Sequence, residues 1–184
     1  MKPQKVLTSS RRSFLGATTA LALTACPLTA LARTSPPARK SLGFRNLHTG
    51  ERLTVDYWAD GQYSEPALTE IDVILRDFRT GEVKPIDRHL LDGLYLLRQK
   101  LEVVEDFHVI SGYRSAKTNR TLAKKSGGVA KKSLHMRGMA IDIRVPGIQL
   151  ARLRTATASL KLGGVGYYPK PDFIHVDVGR VRYW

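Results

Sequence analysis

Apolar positions recur along this chain with two different periods, and the change from one to the other outlines its elements. Residues 44–48 and 53–58 are short strand-like runs on either side of Thr49-Gly50-Glu51, which predicts a hairpin. Ser64-Glu65-Pro66 opens a helix, with Ser as the cap and Pro in the first turn. Leu68, Ile71, Ile74, Leu75 and Phe78 then follow at helical spacing until Thr80-Gly81 stops the run. A second helix over 87–101 carries Leu90, Leu94, Leu97 and Leu101 on one stripe, and both stripes read as core faces. Beyond Asp106 the segments shorten. Strands are expected over 107–110, 139–145, 163–168 and 173–178, with helices over 116–125 and 148–160, the first ended by Ser126-Gly127-Gly128. There is no internal repeat and no low-complexity tract. The sum is an α+β fold: one small domain whose sheet is mainly antiparallel, with helices packed on it.

The first 32 residues stand apart from this pattern. They hold Lys2, Lys5, Arg11 and Arg12, no acid, and an apolar run from Phe14 to Leu31 that ends in Ala30-Leu31-Ala32. That is the layout of a secretory signal with its small-x-small cleavage site, and Ser10-Arg11-Arg12-Ser13-Phe14-Leu15 looks like a twin-arginine (Tat) export signal. Two alternatives stay open: a transmembrane anchor, and a lipoprotein box at Leu23-Thr24-Ala25-Cys26 that would make Cys26 a lipid-bearing first residue. The expected organisation is a signal peptide over 1–32, a flexible lead-in over 33–41 around Pro36-Pro37, and a working domain over 42–184. That domain would act in the periplasm or cell envelope, without stable membrane insertion once the signal is removed.

Composition changes the picture in two ways. Without the leader, 26 basic side chains face 16 acidic ones, a net charge of +10, and no cysteine remains for a disulfide or a thiol site. Such a balance suggests nucleic acid first. The export signal and the lack of any basic stretch with interleaved aromatics argue against it, so no nucleic-acid partner is expected, and an anionic envelope suits the charge. Oligomeric state is not legible.

Three side chains fall in places that suggest chemistry: His135, Asp142 and His175. Period two puts Ile141, Ile143 and Val145 on one face of their strand and Asp142 on the other with Ala140 and Arg144. The next such strand separates Ile174, Val176 and Val178 from Phe173, His175 and Asp177. Paired in one sheet, the two would share a polar face, with His135 reaching it from a preceding loop. Two imidazoles and a carboxylate leave a tetrahedral metal one open position, which is the catalytic arrangement. A solvated surface histidine is the plainer alternative for each. His108, alternating with Ile110, is expected to be a buried structural histidine, and His48 and His89 have no role.

Resemblance sharpens this. Ser133-Leu134-His135-Met136-Arg137-Gly138-Met139-Ala140-Ile141-Asp142 resembles the S-x-H-x-x-G-x-A-x-D signature of the D-Ala-D-Ala metallopeptidase (LAS) superfamily. Ser111-Gly112-Tyr113-Arg114-Ser115, followed by Asn119, is similar to its S-G-Y-R-S segment, and Asp172-Phe173-Ile174-His175 to its (D/E)-x-x-H end piece. The three motifs lie in order within 107–178. Over most of its length, including the stretch at 75–82, the chain also resembles a murein endopeptidase branch of that superfamily.

The resemblance implies one zinc ion per chain on the sheet, held by His135, Asp142 and His175. Asp172 would be the general base and Arg114 would stabilise an oxyanion or hold a substrate carboxylate. Ser111 and Tyr113 would contact substrate, and Gly138 and Ala140 would keep the metal approach uncrowded. Asp177 is an alternative base or a partner of a ligand, and Arg114 has an alternative as a structural ion-pair former. The implied reaction is hydrolysis of cross-linked peptidoglycan stem peptides, at an L,D-type diaminopimelate cross-link, by water that zinc renders nucleophilic near neutral pH. A carboxypeptidase or dipeptidase of the same chemistry, or a non-catalytic wall-binding module, are the alternatives.

Overall fold

The computed structural model describes residues 38–125 and 129–184. The leader over 1–32, the lipoprotein box at Cys26 and the helix stop at Ser126-Gly127-Gly128 lie outside the described residues. No helix among the described residues is long and apolar enough to cross a membrane.

The chain opens with β1 (Arg39–Asn46), β2 (Arg52–Ala59) and β3 (Gln62–Tyr63), followed by α1 (Glu65–Ile74) and α2 (Arg88–Leu101). Then come β4 (Phe107–Ser111), α3 (Ala116–Lys125), a 3-10 turn (Leu134–Arg137) and β5 (Ala140–Arg144). The remaining elements are α4 (Leu150–Ser159), β6 (Gly164–Tyr168), β7 (Phe173–Asp177) and β8 (Arg182–Tyr183). All eight strands form one sheet in the order β3-β2-β1-β4-β5-β7-β6-β8. Only β1–β4 and β6–β8 pair in parallel; the other neighbours are antiparallel. The α+β reading and its mainly antiparallel sheet are borne out.

The core lies where the sequence stripes put it. Leu90, Leu91, Leu94 and Leu97 of α2 and Ile71 of α1 join Leu42, Phe44, Phe107, Ile141, Ile143, Ile174 and Val176 of the sheet in one buried cluster. Each of these is almost wholly removed from water, so each contributes on the order of 1.5–3 kcal/mol of transfer free energy. Asp87 caps α2 through a bond from the His89 amide, and Arg98 and Lys100 sit in its last turn, where the helix dipole favours cations.

Three expectations need correction. β1 begins at Arg39, three residues inside the stretch read as a flexible lead-in. Arg39 and Lys40 pair with Asp56 and Asp92, and that pairing carries the strand outward. α1 stops at Ile74 rather than continuing toward Phe78, because the Leu75 carbonyl is taken by the Tyr113 amide at 2.7 Å. In β4, Phe107 and Val109 point into the core and His108 shares the half-buried face with Ile110. There burial and the charges of Arg144, Arg45 and Arg52 push the His108 pKa down.

Candidate metal centre

Cross-strand register builds the floor of the site. Ser111 of β4, Asp142 of β5, His175 of β7 and Gly166 of β6 are successive partners across four strands. A single row perpendicular to the strands thus carries a hydroxyl, a carboxylate, an imidazole and a gap. His135 comes from the 3-10 turn, whose first residue is capped by Ser133 and whose exit at Gly138 has φ +69°. A side chain at Gly138 would be strained by that φ and would meet the Pro85 carbonyl at 2.2 Å. The missing side chain therefore serves packing against residues 85–87, where the Asp87 amide also bonds the Gly138 carbonyl, and not the metal approach. Ala140, fully buried opposite Asp177, does not line the cleft either.

His135, Asp142 and His175 converge, all buried, with one potential ligand atom from each within 4.8 Å of the others. Asp142 Oδ1 lies 2.9 Å from His175 Nδ1 and 3.2 Å from His135 Nε2, and the two ring nitrogens are 3.1 Å apart. The far side of each ring is spoken for. His135 Nδ1 lies 2.7 Å from the Gly112 carbonyl oxygen, which can only accept, so that nitrogen carries the proton. His175 Nε2 lies 3.0 Å from Asp177 Oδ2 and donates to it in the same way. In its neutral form each ring turns an unprotonated nitrogen, beside a carboxylate oxygen, toward one point. This donor set with its outer partners could hold a divalent metal.

The same closeness shifts the ionisation of Asp142 and His175. Burial works against the charge of Asp142, yet the two imidazoles beside it hold its carboxyl far below the usual range. Burial opposes the imidazolium of His175, but hydrogen bonds to Asp142 and Asp177 outweigh it and raise the pKa. Asp177 is wholly buried, and its oxygens accept from His175, Arg182 and the amides of Gly164 and Gly179. Those bonds overcome burial and hold its carboxyl well below the ordinary range.

Arg114 is buried beside this cluster, its Nη2 3.3 Å from Ser111 Oγ and 3.4 Å from Asp142 Oδ2. Ser111 therefore meets Arg114 rather than the open cleft. Tyr113 packs half-buried against the core and does not line the cleft. Asp172 sits in the turn before β7 at φ +55°, its side chain 58% exposed and 3.1 Å from Arg144 Nη1. It is one residue from Phe173, which does line the cleft.

A cleft of about 350 Å³ opens over the candidate metal-binding cluster, and Tyr168, Phe173, Trp184, Lys132 and Arg182 line it with the residues above. Sequence patterning did not single these out, because their elements are short and their partners distant in the chain. Asp77 was missed as well. Buried, it accepts from the amides of Ser115 and Arg79, so it holds the loop that carries Arg114. The available signal was an acid between Arg76 and Phe78 in the stretch at 75–82 that carries part of the family resemblance.

The comparisons with known proteins point the same way. A family model described as peptidoglycan L,D-endopeptidase MepK (Peptidase_M15_2) matches residues 34–184. The peptidoglycan L,D-endopeptidase MepK of Escherichia coli (strain K12) is 41% identical over 165 residues, 90% of this chain and 91% of that protein. The probable peptidoglycan L,D-endopeptidase MepK of Haemophilus influenzae is 42% identical over 166 residues, 90% of this chain and 89% of that protein. With a buried His-Asp-His cluster under an open cleft and this extent of similarity, the chain belongs to the Peptidase_M15_2 family, within the D-Ala-D-Ala metallopeptidase superfamily, and is a peptidase.

Proposed function

We propose that this chain is a zinc-dependent peptidoglycan endopeptidase that hydrolyses cross-linked stem peptides, with the L,D-type diaminopimelate cross-link as its bond. The observation that carries the reading is the convergence of His135 Nε2, His175 Nδ1 and Asp142 Oδ1, each imidazole held from behind by Gly112 or Asp177. Two nitrogens and one oxygen are the donor set of a catalytic zinc rather than of a closed structural one. The relatives' names supply the substrate class and bond.

When bound, zinc would supply Lewis acidity, polarising the scissile carbonyl and making water nucleophilic near neutral pH. Asp172 is the proposed general base. Its carboxylate leaves Arg144, takes a proton from the attacking water and returns it to the departing amine, so the proton count closes. Asp177, with both oxygens engaged, orients His175 instead. Arg114 stabilises negative charge on the carbonyl oxygen as the tetrahedral centre forms. Residues 1–32 act as a twin-arginine signal and the domain that begins with β1 at Arg39 is the exported part, in the periplasm or envelope.

The test is digestion of purified cross-linked muropeptides by the domain, with and without chelation and zinc return, beside an Asp172→Ala control. Dimers should fall to monomers only with metal and intact Asp172. Release of a single terminal residue would mean a carboxypeptidase. Intact dimers in every condition, with zinc and peptidoglycan still bound, would leave a wall-binding module.

A further inference from the structure

The least expected part of the cleft is Trp184. Its indole lies over Gly166, the cross-strand partner of His175, where a Cβ would come within 2.7 Å of the ring. Indole Nε1 donates to the Tyr168 hydroxyl at 2.9 Å, and the ring centroid is 5.4 Å from that of His175. The Arg182 guanidinium sits 4.9 Å from the ring centroid while also pairing with Asp177. The backbone is pinned too: the Trp184 amide bonds the Val165 carbonyl, and the Trp184 carbonyl accepts from Tyr167. A large aromatic is thus locked beside a ligand histidine, yet 46% of it stays exposed, where it borders the cleft. A side chain serving only to fill the sheet would be covered.

The rest of the lining says what suits it. Tyr168 and Phe173 stack on each other at 4.7 Å beside the indole, and Arg114, Lys132 and Arg182 add cations. Asp142 is the only acid lining the cleft among the described residues. A wall of rigid aromatics with surrounding positive charge suits a peptide that combines aliphatic segments with free carboxylates.

We infer that Trp184 is a specificity-determining residue that touches substrate: its exposed indole surface receives the aliphatic part of an acidic stem peptide, and Gly166 is the gap that admits it. This rests on the peptidoglycan-peptidase reading above. Gly166 is part of the same device, since a methyl there displaces the indole without removing it.

The experiment compares Trp184→Ala, Trp184→Phe and Gly166→Ala with the parent domain on a purified cross-linked muropeptide, with zinc content measured in each. Trp184→Ala should raise KM about tenfold with kcat nearly unchanged and zinc retained. Trp184→Phe should restore most of the loss, and Gly166→Ala should raise KM as Trp184→Ala does. The chain holds 2 tryptophans, so in a Trp58→Phe background Trp184 is the sole indole reporter. Its emission should change saturably when muropeptide is added to the metal-free protein. An unchanged KM in Trp184→Ala, or emission indifferent to muropeptide, would overturn the inference. So would zinc and kcat falling together in every variant. Saturable emission in a parent protein that cleaves nothing would sink the peptidase reading and leave Trp184 as a contact.

Discussion

Asp142 and His175 are directly opposite partners on antiparallel strands, and that register sets Asp142 Oδ1 2.9 Å from His175 Nδ1. Nothing flexible intervenes: both side chains leave paired backbone, so two of the three candidate ligands are placed by the sheet. Only His135 depends on a turn. The site is therefore preorganised in proportion to the sheet's own stability, and the turn is where substitution should be felt most.

Gly138 ends that turn. Gly138→Ala forces an L side chain into φ +69° and against the Pro85 carbonyl. We expect a loss of about 2–3 kcal/mol, read from denaturant unfolding of the metal-free domain, with weakened zinc binding because His135 shifts. A domain as stable as the parent would show that residues 85–87 move aside freely.

Asp177 holds His175 from behind. Asp177→Asn keeps the shape but replaces one acceptor oxygen by a donor among partners that all donate. Zinc affinity should fall by about 10–100-fold, measured by competition with a chelator of known affinity. Equal affinity would mean that packing alone orients the ring.

Asp172 should behave differently, being exposed and bonded to Arg144 rather than to a candidate ligand. Asp172→Asn is expected to keep full zinc stoichiometry while kcat drops by about 10²–10⁴-fold, as for loss of a general base. Arg144→Ala, which frees that carboxylate, should not lower zinc content. Unchanged turnover in Asp172→Asn would move the base role elsewhere.

Asp92 offers a pH test away from the metal centre. It accepts from Lys40 Nζ at 2.7 Å, Tyr63 at 2.6 Å and Tyr57 at 3.0 Å. Burial works against its charge, but these bonds prevail and hold its carboxyl below the usual carboxylate range. A carboxylate depressed on folding adds stability that is present above the unfolded pKa and lost as pH falls through the folded one. Asp92→Asn should therefore cost about 1 kcal/mol near neutral pH, and its melting temperature should converge on the parent's as pH falls through and below the ordinary aspartate range. A gap that is constant with pH would show that shape, not charge, matters at this position.

Much of this protein could be read from the chain alone, for a local reason. Period-two strands separate Ile141 and Ile143 from Asp142, and Ile174 and Val176 from His175, whatever the rest of the molecule does. Helix stripes and caps are local as well, so Ser64 marked its helix start as the cap and the second helix was bounded to within a residue. The three candidate ligands were legible for the same reason, each carried by a short contiguous motif.

What the tertiary structure decided is everything that depends on which distant segments meet. Only the β5–β7 and β6–β7 registers bring Asp142, His175 and Gly166 into one row. Only the return of the chain after β7 lays Trp184 over that glycine and sets Arg182 against Asp177. Asp172 and Asp177 lie five residues apart on either side of His175, yet one is 58% exposed on Arg144 and the other is 0% exposed behind His175. Periodicity tells which face of a strand a residue occupies. It carries no information about what covers that face, because burial and hydrogen bonding are set by partners far away in the chain.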